Sequence, residues 1–282
     1  MKHEIHLPQG TIRYREEGSG EPLLFVHGVV VNGDLWGKVV PDLAKDFRCI
    51  VPDLPLGAHT TPVAADADLS VPGLAKLIVD FMDALGLETA TLVGNDTGGA
   101  LCQIVAAEHP DRVTRMVLTS CDMYERFPPP LFKPLFAAAV LPGALWLIAQ
   151  SLRPRIAQRS PLALGWVTKR HPEKEVVESW LKPLRNSAGV RRDLRKVIRG
   201  GGAEHLLAAM EKLKSFDKPI LLAWAKEDKL FPLEYPRRFA ADVPDATLVE
   251  IEDSYTFIAQ DQPKALVEAI ASFVRRPAAV SA

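Results

Sequence analysis

The feature that most constrains this 282-residue chain is a six-residue motif, Gly-Asn-Asp-Thr-Gly-Gly, at positions 94–99. A β-rich run (90–93) precedes it and an apolar helical pattern (100–107) follows it. A strand, a sharp turn and a helix with a reactive side chain at the apex make a nucleophile elbow. Glycines flank Asp96 because such a turn brings backbone segments too close for a Cβ. An ionised carboxylate there can attack carbon and form an ester. Asp96 could instead be the N-cap of an ordinary helix.

Predicted strands and helices alternate on both sides of this motif. The strands are expected at residues 3–7, 11–17, 23–26, 47–51, 90–93, 113–119, 219–225 and 247–251. Helices are expected at 35–44, from a cap at Ser70 to Leu85, from the elbow to Glu108, at 233–241 and at 263–274. This alternation predicts an α/β fold with a doubly wound, mostly parallel sheet, preceded by a hairpin.

The alternation is interrupted between Asp122 and Asp217, where the sequence predicts only short helices. They are expected at residues 129–140, 143–152, 161–168, 172–181, 189–199 and 203–213. We therefore expect a core formed by residues 1–121 and 218–282, with a helical cap inserted at 122–217. Ligands bind outside the carboxyl ends of the strands in such sheets, so the cap should cover that site.

Composition excludes several function classes. Apolar residues make up 48% of the chain and charged residues 24%, with a formal net charge of −1. This balance gives no case for a nucleic-acid partner. The apolar stretch 131–149 contains two prolines and Lys133, so we expect no stable membrane insertion. Three dispersed cysteines and the lack of an apolar leader favour a cytoplasmic protein. No metal-ligand cluster, dinucleotide pattern or phosphate loop is present, so no metal and no cofactor is expected.

On these motifs the chain resembles the α/β-hydrolase superfamily, in particular its Asp-nucleophile branch of haloalkane dehalogenases and epoxide hydrolases. The resemblance covers nearly the whole chain. It rests on five features: His27-Gly28 after the third strand, the elbow, the helical insert, the segment Trp-Ala-Lys-Glu-Asp (224–228) and the segment Ile-Glu-Asp-Ser-Tyr-Thr-Phe (251–257).

The resemblance implies a role for several residues. Asp96 would be the nucleophile, and Asp228 would be the acid that orients a catalytic histidine. The backbone N–H groups of Val29 and Thr97 would form the oxyanion hole, beside the His27-Gly28 loop. Asp228 could also be an ordinary residue of a solvated turn. Asp122 occupies the other position where some dehalogenases keep their acid, but a turn cap is the favoured interpretation.

The expected catalytic base is absent. The family places a His-Phe pair after the last strand, and here the pair is Thr256-Phe257. The seven histidines are His3, His6, His27, His59, His109, His171 and His205. Ester hydrolysis gains about 10²–10⁴-fold from general-base help, so an Asp/Thr pair should stall as a covalent ester. His59, in the loop after the fourth strand, could serve as a relocated base or could simply pack in its loop, and His27 would be structural.

Other family features are missing as well. The family's halide-binding Trp and Asn correspond here to Thr97 and Val29. Of the two cap tyrosines that epoxide hydrolases use, only Tyr124 lies near the cap. Six basic residues in 185–199 could form a rim for an anionic substrate, although a solvated helix face is favoured.

Three hypotheses follow. The leading one is a hydrolase of the dehalogenase-like type, acting on a small, largely apolar organic substrate with Asp96 and Asp228. The second is a non-hydrolytic enzyme (isomerase, lyase or cyclase) in which Asp96 is a general base. The third is a catalytically silent ligand-binding protein. The sequence gives no indication of the oligomeric state.

Overall fold

An eight-stranded sheet forms the centre of the computed structural model, which describes residues 2–276. The strand order is β1-β2-β4-β3-β5-β6-β7-β8. β2 pairs antiparallel with β1 and β4, and all other neighbours are parallel. The strands are β1 (Lys2–Leu7), β2 (Gly10–Glu17), β3 (Pro22–Val26), β4 (Arg48–Pro52), β5 (Ala90–Asp96), β6 (Val113–Cys121), β7 (Ile220–Ala225) and β8 (Ala246–Ile251). The prediction of a mostly parallel α/β sheet is confirmed.

Twelve α-helices accompany these strands within residues 2–276. They are α1 (Val40–Leu43), α2 (Val71–Ala84), α3 (Thr97–Glu108), α4 (Lys133–Ala139), α5 (Ala144–Ser151), α6 (Arg155–Gln158), α7 (Lys174–Asn186), α8 (Ala188–Gly200), α9 (Ala203–Leu213), α10 (Glu234–Asp242), α11 (Ile258–Asp261) and α12 (Pro263–Val274). Ser70 caps α2 as expected, since its side chain accepts a hydrogen bond from the Gly73 N–H. None of these helices is long and apolar enough to cross a membrane.

Two predicted helices are wrong. The helix expected at 35–44 is a 3₁₀ turn (Gly33–Trp36) followed by the four-residue α1, because Gly37 and Pro41 interrupt the pattern. No helix forms at 161–168, which is a series of turns. Gly165 lies so close to the Arg159 carbonyl there that a Cβ would come within 2.1 Å of its oxygen.

The chain between β6 and β7 is entirely helices and turns, from α4 to α9. Parts of this segment contribute to the wall of a cavity that also contains residues from the carboxyl ends of β3 and β5. We call residues 122–217 the helical segment.

Candidate active site

Asp96 lies at the apex of a strained turn between β5 and α3. Its φ is +53° and its ψ is −131°, a backbone conformation that is rare for residues other than glycine. A Cβ on Gly98 would lie 2.2 Å from the Val26 carbonyl oxygen, and one on Gly94 would lie 2.6 Å from the Gly99 Cα. The close approach expected at the elbow is therefore present, and it fixes the Asp96 carboxyl at the end of the strand.

Two backbone N–H groups hold the Asp96 carboxyl group. Those of Thr97 and Val29 both donate to it and lower its pKa. Burial acts more strongly, and the charge of Asp228 adds to it, so the pKa of Asp96 is raised to about 7. Gly28 is required beside it, because a Cβ there would lie 2.2 Å from Asp96 Oδ2. These are the two N–H groups that the resemblance assigns to an oxyanion hole.

His27 is fully buried and has no free nitrogen. Its Nε2 accepts a hydrogen bond from the Leu54 N–H (2.9 Å), so Nδ1 carries the proton and donates to the Gly28 carbonyl (2.8 Å). Burial lowers its pKa to about 4. This neutral imidazole connects the Gly28 loop to the loop after β4.

Asp228 and Thr256 contact each other, as the alignment of the triad positions implies. Thr256 Oγ1 donates to Asp228 Oδ1 at 3.1 Å, and the N–H groups of Leu230 and Phe231 donate to the same oxygen. Burial raises the pKa of Asp228 to about 6, against the lowering effect of these donors. The Ser120 hydroxyl group also interacts with this carboxyl group and lowers its pKa. The side chain of Asn95 donates to the Thr256 carbonyl (2.9 Å) and so joins this pair to the elbow.

Asp122 is a third carboxyl group at the same place. It directly follows β6, whose Cys121 pairs with Asp96 of β5. Its side chain is fully buried, Oδ2 accepts a hydrogen bond from Thr97 Oγ1 (3.3 Å), and Oδ1 has no partner among the described residues. Burial, and then the charge of Asp96, raise its pKa well above the usual range, although Arg126 opposes this effect.

Asp96 and Asp122 both contribute to the wall of a largely apolar cavity of about 160 Å³. An apolar cavity of about 150 Å³ in another protein is large enough to hold benzene. Much of the remaining wall comes from the helical segment, including Phe132, Phe136, Ile148, Leu152, Leu162 and Trp180. The shape and polarity suit a small, largely apolar molecule.

Trp180 adds a polar group to the cavity wall that was not predictable from the sequence. This residue of α7 contributes to the cavity wall, and its indole N–H is buried with no acceptor among residues 2–276. Its ring contacts that of Phe257 edge-on at 5.8 Å. A single Trp in a predicted helix carries no signal in the sequence that would distinguish it from a core residue.

The structure does not bring His59 to the cavity, contrary to one expectation. Its Nε2 lies 3.1 Å from Oδ2 of Asp193 on α8, and its Nδ1 faces the Gly57 N–H at 3.4 Å. Both nitrogens are therefore engaged, and His59 is not among the residues that form the wall around Asp96. The alternative interpretation, a packed loop residue, fits this placement.

Asp193 connects α8 to the loop after β4, and this connection should be important for stability. It is fully buried and accepts hydrogen bonds from His59, Arg192 and the Val63 N–H. Asp193→Ala leaves these donors without an acceptor, so we expect a loss of about 3–5 kcal/mol in the free energy of unfolding, measured in urea. Asp66→Ala, at an exposed position, should change it by less than about 0.5 kcal/mol. Equal effects of the two substitutions would contradict this role.

Several basic residues of α8 donate hydrogen bonds to other parts of the chain, and so does Tyr124. Arg191 donates to the Leu184 carbonyl, and Lys196 donates to the carbonyls of Ala65 and Ala67. Tyr124 donates to Asp242 (2.8 Å) and is not part of the cavity wall. Tyr124 therefore does not face the cavity around Asp96.

Comparison with known proteins supports the fold. A family model described as the alpha/beta hydrolase fold matches residues 21–262. Haloalkane dehalogenase 2 of Mycobacterium tuberculosis is 27% identical over 275 residues, covering 93% of this chain and 91% of the relative. A cis-3-alkyl-4-alkyloxetan-2-one decarboxylase of Shewanella oneidensis is 26% identical over 288 residues, covering 97% and 88%.

Solved structures give the same result. The crystal structure of haloalkane dehalogenase DbeA from Bradyrhizobium elkani has a TM-score of 0.82 and 21% identity, covering 97% of each chain. At this identity the likeness concerns the fold alone. The chemistry of the site must be argued from its own residues.

Proposed function

Because this chain belongs to the α/β hydrolase fold family, we propose that it is an enzyme for small, apolar electrophiles, with Asp96 as the nucleophile. The observation that carries the proposal is the carboxyl group of Asp96 on a strained turn, held by two N–H groups in the wall of an apolar cavity. The helical segment acts as the cap that excludes water. A substrate in this cavity would meet Asp96, Asp122 and the free indole N–H of Trp180.

We assign the missing acid–base role to Asp122. Two neighbouring carboxyl groups in one buried site tend to share a proton, and Asp122 is the more deeply buried of the pair. A strained cyclic ether such as an epoxide would be opened as follows. The Asp96 carboxylate attacks the ring carbon, the carbon–oxygen bond breaks, and the oxygen takes its electron pair and then the proton of Asp122. The products are an ester on Asp96, a substrate hydroxyl group and an Asp122 carboxylate.

The Asp122 carboxylate can then act as a base. It takes a proton from water as the hydroxide adds to the ester carbonyl carbon, and the N–H groups of Val29 and Thr97 hold the resulting oxyanion. When this intermediate collapses, the alcohol oxygen leaves and takes the proton of the new Asp96 carboxyl group. Asp96 is again ionised and Asp122 is again protonated.

A haloalkane would take a different course. Halide leaves without a proton, so Asp122 stays protonated and is not a base for the second step. Haloalkanes should therefore form an ester on Asp96 that persists. Strained cyclic ethers such as epoxides are therefore the better substrates for this mechanism.

Intact-protein mass spectrometry tests the proposal. The native chain is incubated separately with a panel of haloalkanes and a panel of epoxides. We expect a persistent mass gain of one alkyl group with haloalkanes, and diol formation with epoxides. Neither mass gain nor product across both panels would contradict the proposal and would favour the ligand-binding hypothesis.

The two substrate types should differ in their dependence on pH. The pKa of Asp96 is raised to about 7, so its nucleophilic form becomes dominant only above that pH. Ester formation with a haloalkane should rise through about pH 7 and then level off. Epoxide opening also needs protonated Asp122, so its rate should rise and then fall at higher pH. Stopped reactions analysed by mass spectrometry measure both profiles, and identical profiles would contradict the role of Asp122.

Thr256→His should restore breakdown of the haloalkyl ester. Asp228 already accepts a hydrogen bond from the side chain of residue 256 and can orient an imidazole there. We expect the ester to disappear about 10²-fold faster or more, as is usual for a general base. The decay of the adduct mass measures the effect, and Thr256→Ser is the matched control. A folded Thr256→His protein with an unchanged adduct lifetime would contradict the assignment of this position.

A second candidate function rests on the raised pKa of Asp96, because a value of about 7 also suits a general base near neutral pH. In that case Asp96 removes a proton from the substrate in an isomerisation, elimination or cyclisation. Turnover that depends on Asp96, with no adduct and no solvent oxygen in the product, would favour this function.

A further inference from the structure

We propose that the outer surface of residues 141–162 docks on an anionic lipid bilayer. Seven large apolar side chains are exposed among the described residues, and five of them lie in this stretch of the helical segment. They are Leu141, Trp146, Leu147, Ile156 and Leu162. Scattered exposed apolar residues are normal, but such a concentration marks an interaction surface. We call these five residues the apolar patch.

The charges around the apolar patch select the partner. No Asp or Glu occurs from residue 126 to residue 172, whereas seven Lys or Arg residues do. Four of these are exposed and make no ion pair within residues 2–276, namely Lys133, Arg153, Arg155 and Arg159. The whole chain has a net charge of −1, so this positive charge is local. Exposed Trp, Leu and Ile beside unpaired basic residues are typical of surfaces that bind at the interface of anionic membranes.

The apolar patch shares Leu162 with the cavity wall. Leu162 is half exposed and also forms part of the cavity wall. On α5, Trp146 and Leu147 are exposed, whereas the next residue, Ile148, is in the cavity wall. The apolar patch and part of the cavity wall are therefore built from the same short stretch of the helical segment. The same helices that cover the cavity would rest on the membrane.

Vesicle flotation tests this inference without any assay of activity. The full chain is mixed with vesicles of phosphatidylcholine alone, or with vesicles in which part of it is replaced by phosphatidylglycerol. We expect the chain to float with the anionic vesicles and to be released as salt is raised, because salt screens the basic residues. Binding to phosphatidylcholine alone should be at least about tenfold weaker.

Two exposed residues of the apolar patch make the test specific. Leu147 and Ile156 are 61% and 79% exposed, so charged substitutions there should not disturb the fold. Leu147→Glu with Ile156→Glu should weaken binding to the anionic vesicles by about tenfold or more. Leu207→Glu on α9, at a position that is 42% exposed but distant in sequence from the patch, is the matched control and should bind normally.

Three results would overturn the inference. They are no flotation with either vesicle, an equal loss of vesicle binding in the Leu207→Glu control, and evidence that the apolar patch mediates self-association instead. The last would appear as a dimer in sedimentation that Ile156→Glu dissociates, without any flotation. The inference is independent of the proposed chemistry, since Asp96→Asn should float like the native chain.

Discussion

Asp96→Asn should abolish covalent labelling by haloalkanes and lower epoxide turnover by about 10³-fold or more, because an amide does not supply the attacking oxygen. The variant should still fold. Burial raises the pKa of Asp96 to about 7, so its ionised form costs stability above that pH and the neutral amide does not. We therefore expect the variant to be at least as stable as the native chain at pH 8.

Adduct mass and product formation measure the first effect, and urea unfolding measures the second. Asp68→Asn, an exposed carboxylate outside the cavity, should label at the native rate. Full labelling of a folded Asp96→Asn protein would show that Asp96 is not the nucleophile.

Asp122→Asn should separate the two substrate types. The amide neither donates a proton to a leaving oxygen nor accepts one from water, so epoxide turnover should fall by about 10²–10⁴-fold. Ester formation with a haloalkane needs no proton and should stay within about threefold of the native rate. Burial already raises the pKa of Asp122 well above the usual range, so the neutral Asn should preserve the packing.

Single-turnover rates with each substrate provide the comparison. Equal losses with both substrates would indicate that Asp122 only supports the position of the elbow. No loss with either would exclude it from catalysis.

The local features of the site were predictable from the sequence. The spacing of Gly94, Asp96 and Gly98 defines a turn whose geometry follows from steric exclusion alone, and the structure has that turn. The contact between Asp228 and Thr256 agrees with the resemblance, which places these two residues at the acid and histidine positions after strands β7 and β8. Parallel strands bring such residues to the same edge of the sheet.

The long-range pairs were not predictable in this way. His59 bonds to Asp193, 134 residues later, and no periodicity indicates that pairing. Oδ1 of Asp122 and the indole N–H of Trp180 have no hydrogen-bond partner among residues 2–276, which only three-dimensional packing reveals. The helices predicted at 35–44 and 161–168 do not form as expected, because Gly37, Pro41 and Gly165 override the hydrophobic spacing around them.

The most direct test of Asp96 as a nucleophile is a single turnover of an epoxide in heavy-oxygen water, with enzyme in excess. The ester mechanism adds solvent oxygen to the Asp96 carboxyl group, and the first product carries the original oxygen of Asp96. We therefore predict that the peptide containing Asp96 gains the heavy isotope while the diol remains unlabelled. A labelled diol with an unlabelled Asp96 peptide would show that water attacks the substrate directly, and would contradict the account.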